Sequence, residues 1–255
     1  MIDLLLSADK GDKCRVVAVA EAEGSMFFFE KKNQKTFGRL GATPRPGVFV
    51  TGTDTGIGKT LVSACLAHRL GADYWKPAQT GTQDGDDDTA TVAALARLPP
   101  ERIHTPRHRF AAPLSPEAAA AMEGASIRLE DFTLPATHRP LVVEGAGGVL
   151  VPIGGGATMA ELMVRLGLPV VLVARTTLGT INHTLLSLAA LRARSLTVAG
   201  VVLVGRPNPG NKDAIAAHGS VRILAEIPWL DRIDADEVAR LAMLLPDRLS
   251  EDSRA

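Results

Sequence analysis

The chain has 255 residues, with 28 lysines and arginines balanced by 28 aspartates and glutamates, so its formal charge at neutral pH is zero. A neutral chain exerts no global pull on nucleic acid or on an acidic membrane, which excludes both as main partners, and its length suits one ordinary α/β domain with an appendage. Its two cysteines, Cys14 and Cys65, lie too far apart in sequence to suggest a disulfide framework or thiolate cage; no apolar run reaches a membrane span and no leader pattern opens the chain, so a cytoplasmic enzyme is expected.

Residues 1–46 carry scattered apolar clusters with no sustained period and a basic stretch through Lys31, Lys32 and Lys35. They read as an N-terminal extension, either disordered or no part of the native protein, with Met26 and Val48 as alternative starts. From Gly47 onward apolar strands alternate with helical segments. Strands are expected near 47–51, 72–76, 140–144, 169–174, 198–204 and 221–227. Helices are expected over 60–70, 89–98, 116–122, 159–166, 181–194 and 235–245. This alternation predicts an α/β domain over 47–249, a mostly parallel sheet with helices on both faces, followed by a polar tail at 250–255.

The strongest motif joins the first strand to the first helix. In GVFVTGTDTGIGKT a glycine-punctuated turn ends in Gly58-Lys59-Thr60, so successive backbone N–H groups can point at phosphate oxygens with the positive end of a helix behind them. Lys59 adds a mobile cation, and the Thr60 hydroxyl stands where Mg²⁺ needs an oxygen ligand. The spacing is a variant: the position usually held by the first glycine is Thr53, and the glycine falls one residue earlier, at Gly52.

Further motifs follow other strands, at the sheet end where open α/β folds bind ligands. Lys76, held by Pro77 in YWKPAQTG, brings a second cation toward the phosphates. Asp84 and Asp86-Asp87-Asp88 lead into a helix, and one of these carboxylates suits Mg²⁺. In LVVEGAGG, a run of apolar residues delivers Glu144 to a glycine-rich turn, the form of an acidic strand end that contacts Mg²⁺ directly or through water.

Taken together, VTGTDTGIGKT with its variant spacing, WKPAQTG, the aspartate-rich helix entry, APLSPEAAAAMEG, VEGAGG, LGTINHTLLSL and EIPWL resemble, in order, the dethiobiotin synthetase family, over 48–229. The resemblance implies a P-loop NTPase-like fold and a reaction that joins CO₂ to the two amines of diaminopelargonate, forming a cyclic urea at the expense of ATP. It implies Thr60, Asp88 and Glu144 as Mg²⁺ ligands and Lys76, Lys59 and Thr55 as catalytic groups. Nucleotide contacts are implied for Gly56, Ile57, Gly58, Lys59, Thr60, Glu144, Gly147 and Pro228. Substrate contacts are implied for Thr80 and for Gly179, Thr180 and Asn182, the last three received across a homodimer interface together with Ile181. His183 is expected to be structural. One departure stands out. Where relatives place an adenine-reading Asn, this chain has Val204, which predicts that other nucleoside triphosphates serve as well; Asn208 is the nearest candidate substitute, although Asn between prolines suits a turn. Chromosome-partitioning ATPases share the loop but carry an early lysine where this chain has Thr53-Asp54-Thr55, and cobyrinic-acid-type synthetases carry a glutaminase domain missing from these residues.

Overall fold

The computed structural model describes residues 47–249 except 86 and 231, together with three strands nearer the N-terminus. Those strands, Asp3–Ser7, Arg15–Ala22 and Ser25–Phe29, pair in sequence order as an antiparallel sheet of their own. They belong to a compact unit that ends at Pro44, separate from the unit that follows. No helical or alternating period marks these segments, but their Val- and Phe-rich composition favours extended backbone. The rest of 1–46, and the tail at 250–255, lie outside the described residues.

Seven parallel strands form the main sheet: β1 (Gly47–Gly52), β2 (Asp73–Trp75), β3 (Ile103–His104), β4 (Leu141–Gly148), β5 (Val170–Arg175), β6 (Val198–Val204) and β7 (Ile223–Ile227). Their spatial order is β7-β6-β5-β1-β4-β2-β3. The central strands read as unbroken β-branched and aliphatic runs because both faces are covered. Side chains alternate between two apolar layers. Phe49, Val143, Leu172 and Leu203 pack on one side with Met159, Leu162 and Leu188, from α4 (Met159–Leu166) and α5 (Thr180–Arg192). Val48, Val50, Val142, Val173 and Val202 pack on the other with Val62, Cys65 and Leu66 of α1 (Lys59–Leu70), and Leu241 of α7 (Ala235–Ala242). Each fully buried side chain of this kind contributes about 1.5–3 kcal/mol.

The remaining helices are α2 (Asp88–Leu95), α3 (Pro116–Met122) and α6 (Pro209–Gly219). Among the strands of the main sheet and the α-helices, two were not foreseen. β3 has only two residues, too few to show a period. The helix α6 fills the segment after β6 that reads as turn chemistry, and its start is marked by Asn208, whose Oδ1 accepts from the Asn211 backbone N–H at 3.1 Å, with Pro209 at its first position.

Candidate active site

β1 lies in the middle of the sheet and delivers its C-terminal end to the glycine-rich loop. The displaced glycine has a steric reason: a Cβ on Gly52 would stand 2.6 Å from Ile57 Cδ1, because buried Ile57 folds back under the loop. Gly58 has φ 97° at the start of α1, a left-handed conformation that glycine adopts without penalty. No side chain caps this helix and no acid sits in its first turn, so its N-terminal N–H groups are left for an anion. A Cβ on Gly56 would meet nothing within 4 Å, so the loop's crest is open.

Lys59 is buried and donates from Nζ to the Asp54 carbonyl at 2.8 Å, curling over the loop. Burial pushes its pKa down to about 8, opposed by Glu144 and reinforced by Lys76. The Asp54 carboxylate accepts the Thr55 N–H at 2.8 Å and pairs with Arg175 at the end of β5. Thr55 itself is exposed, and its Oγ1 lies 3.5 Å from where a Cβ on Gly147 would stand, so these two positions face each other across the loop mouth.

Beside the loop, four polar side chains from four segments converge. Thr60 Oγ1 lies 2.6 Å from Asp88 Oδ1 and 3.1 Å from Glu144 Oε1. Lys76 Nζ is 2.7 Å from Asp88 Oδ2 and 3.2 Å from Glu144 Oε1, and also donates to the Gly145 carbonyl at 3.4 Å. Lys76 is 4% exposed and Glu144 1%, so neither charge is met by bulk solvent. Burial acts against the Lys76 ammonium, but Glu144 and Asp88 outweigh it and hold its pKa above the ordinary value. Burial likewise opposes the Asp88 charge, and Lys76 reverses the balance and lowers that pKa.

The set fits Mg²⁺. Among the described residues no three His, Cys, Asp or Glu side chains form a metal cage, but an ion carried in with phosphates needs only one or two carboxylates and keeps several waters. Thr60, Asp88 and Glu144 provide a hydroxyl and two carboxylates within hydrogen-bond range of one another. Within the acidic stretch only Asp88 takes this position. Asp87 caps α2, accepting the Ala90 N–H at 2.9 Å, and pairs with Arg109; Asp84 lies in a short turn and Asp86 outside the described residues.

The other predicted positions are spread around this centre. Thr80 is half-buried and its carbonyl accepts from Gln79 Nε2 at 2.9 Å. Gly179 has φ 90° and opens α5, again with no side-chain cap and no acid in the first turn; Gly179 and Asn182 are exposed. Thr180 lies between these two exposed positions. It is buried, its hydroxyl donates to the Arg175 carbonyl and its N–H to the Thr177 carbonyl at 3.2 Å, so its polar groups are committed to shaping the turn. His183 is exposed and its N–H bonds the Gly179 carbonyl. Val204 packs against the loop, with Cγ1 3.1 Å from a Cβ built on Gly58, and Pro228 is half-buried just past β7. The oxygen of Asn208 is engaged in capping α6, which counts against it as a base reader.

Tyr74, Gln79 and Arg175 were missed by sequence reasoning. Tyr74 OH donates to Glu144 Oε2 at 2.9 Å, and Gln79 Nε2 lies 3.5 Å from Asp88 Oδ2. The signal for Tyr74 was its place two residues before Lys76, on the same face of the strand.

A parallel sheet whose central strand feeds a glycine loop, a buried lysine and a threonine facing two carboxylates defines a P-loop nucleotide-binding enzyme. The AAA domain family model matches residues 46–237. The chain is 54% identical over 195 residues to the ATP-dependent dethiobiotin synthetase BioD of Paramagnetospirillum magneticum, covering 76% of this chain and 94% of that protein. It therefore belongs to the dethiobiotin synthetase family. It is also 58% identical over 200 residues to the biotin biosynthesis bifunctional protein BioCD of Bordetella avium, matching 78% of this chain but spanning only 43% of that longer relative. Among solved structures, a ParA family ATPase from Chlorobium tepidum TLS is 10% identical with a TM-score of 0.45, covering 79% of this chain and 99% of that one.

Proposed function

We propose that this site performs ATP- and Mg²⁺-dependent closure of diaminopelargonate and CO₂ to dethiobiotin, a ligase step of biotin biosynthesis. One substrate amine attacks CO₂ and loses a proton, giving a carbamate. A carbamate oxygen attacks the γ-phosphorus, the bond to ADP breaks, and a carbamic-phosphoric anhydride results. The second amine attacks its carbonyl carbon, the bond to phosphate breaks, and the ring closes with loss of a proton.

The chain's part is to hold three anions together. The loop N–H groups from Gly56 to Thr60 and the start of α1 take the phosphates. Lys59 exchanges the Asp54 carbonyl for the transferring phosphoryl oxygens, and Lys76 draws the carbamate toward the same oxygens, offsetting charge that grows during transfer. Thr55 and Thr80 add hydrogen bonds, and Gly147 and Pro228 border the nucleotide. Bound by Thr60, Asp88 and Glu144, Mg²⁺ supplies charge neutralisation at the phosphates. The carboxylate tail of the substrate docks on the start of α5, at Gly179 and Asn182, of a second copy in a homodimer. Support for that contact comes from Leu178 and Leu186, large apolar side chains exposed on this segment.

The observation that carries the reading is Lys76, an ammonium buried between Asp88 and Glu144 beside Thr60 at the mouth of a phosphate loop. The test supplies ¹³C-bicarbonate, diaminopelargonate and MgATP to purified protein. Label in the ureido carbon of dethiobiotin supports the reading; ATP consumption without labelled product contradicts it.

A further inference from the structure

We propose that Tyr74 is a positioning residue, whose phenol fixes the Glu144 carboxylate in the orientation needed to hold a divalent cation. The inference rests on the reading of Glu144 as a Mg²⁺ ligand. Glu144 divides its two oxygens between different tasks. Oε2 accepts the Tyr74 hydroxyl at 2.9 Å, deep in the sheet, while Oε1 faces Thr60 Oγ1 at 3.1 Å and Lys76 Nζ at 3.2 Å. Tyr74 is fully buried in the apolar layer on the helix α1 face of the sheet, the layer that also holds Val50, Val62, Ala64 and Val142, so its ring cannot swing away.

The chemistry of the partner matters. An ionised carboxylate only accepts hydrogen bonds, and a buried one left with an idle oxygen is free to rotate about its terminal torsion. A phenol supplies a donor at that oxygen without adding positive charge, so it fixes the carboxylate without competing with an incoming cation. A second ammonium there would repel the ion. Partners of this kind orient metal ligands in many sites, and their loss costs about 10–100-fold in metal affinity or activity.

The test separates metal-dependent from metal-independent binding. Calorimetric titration of the full chain with a non-hydrolysable ATP analogue is run with Mg²⁺ and with a chelator, for wild type, Tyr74→Phe and Glu144→Gln. In Tyr74→Phe the tightening produced by Mg²⁺ should shrink roughly 10-fold while metal-free affinity stays within about twofold. Retention of the full Mg²⁺ increment in Tyr74→Phe, with Glu144→Gln losing it, overturns the role of Tyr74 alone. Retention in Glu144→Gln overturns the metal reading on which the inference rests. Equal losses with and without metal show a merely structural tyrosine and also overturn it. If Tyr74→Phe does not fold, the double variant with Glu144→Gln decides: recovered folding shows that the phenol serves the Glu144 charge, and failure of both contradicts the inference.

Discussion

Lys76 between Asp88 and Glu144 is a buried cation shared by two acids, and removing it leaves both carboxylates facing each other. Lys76→Met should lower dethiobiotin formation roughly 10²-fold or more through loss of charge stabilisation in transfer. It should also lower thermal stability, by about 1–3 kcal/mol for the unpaired buried charge, with partial recovery in Mg²⁺. Near-normal turnover at saturating substrates would place this lysine outside the chemistry. A second prediction concerns Val204, which presents methyl groups to Gly58 at the position where the family resemblance implies an amide. Wild type should use at least one other triphosphate within about 10-fold of ATP, and Val204→Asn should shift preference toward ATP, since a lost bidentate contact removes about 1–3 kcal/mol of discrimination. A four-nucleotide panel of kcat/KM checks both; strong ATP preference in wild type would refute the idea. At this scale the residues that the structure gathers beside the loop and that chemistry restricts to one type were legible: a lysine after glycine, a threonine at a helix start, an acid closing the apolar part of a strand. Tyr74 and Arg175 were not, because a tyrosine in a strand usually serves packing, and the partner that gives each its role lies 70 and 121 residues away in the chain.

Helix and strand assignments followed how much each element depends on local pattern. The strands of the sheet centre, buried on both faces, were read within a residue or two except at the end of β4, which runs through its glycines to Gly148, four residues past expectation; the two-residue β3 depends on its neighbour for existence. The ends of α2 and α5 fall two or three residues short of expectation, and left-handed Arg97 and Ser195 follow soon after. The start of α4 was clearer and carries its own prediction. Thr158 and Glu161 form a reciprocal cap, Glu161 Oε2 accepting the Thr158 N–H at 2.8 Å, while Oε1 accepts Arg194 Nε at 2.7 Å. The Thr158 hydroxyl, followed by Arg194, lowers the Glu161 pKa to about 2. The folded value lies below the ordinary 4.5, so the stabilisation is complete above pH 4.5 and lost as pH falls from there toward 2. Glu161 is partly exposed, so Glu161→Gln should cost only about 1 kcal/mol at pH 7. The gap between wild-type and variant denaturation midpoints should narrow toward pH 3; a gap that widens on acidification would contradict the assignment.

Across the whole molecule, chemistry and core lie in the unit that begins at Arg45, while the strands within 3–29 belong to the other. A chain starting at Arg45, with an added initiator Met, should therefore keep cooperative unfolding and turnover within about twofold of the full chain, since β1 and every site residue are retained. Loss of turnover, restored by a start at Met26, would assign the earlier strands a part in the active enzyme. The central claim is that one site couples cleavage of a triphosphate to closure of a cyclic urea. It is tested most directly by measuring nucleoside diphosphate, phosphate and dethiobiotin together, with diaminopelargonate, bicarbonate, Mg²⁺ and ATP each omitted in turn. The account predicts one diphosphate and one phosphate per dethiobiotin, and no product when any component is absent. Steady triphosphate hydrolysis that ignores the diamine would contradict it.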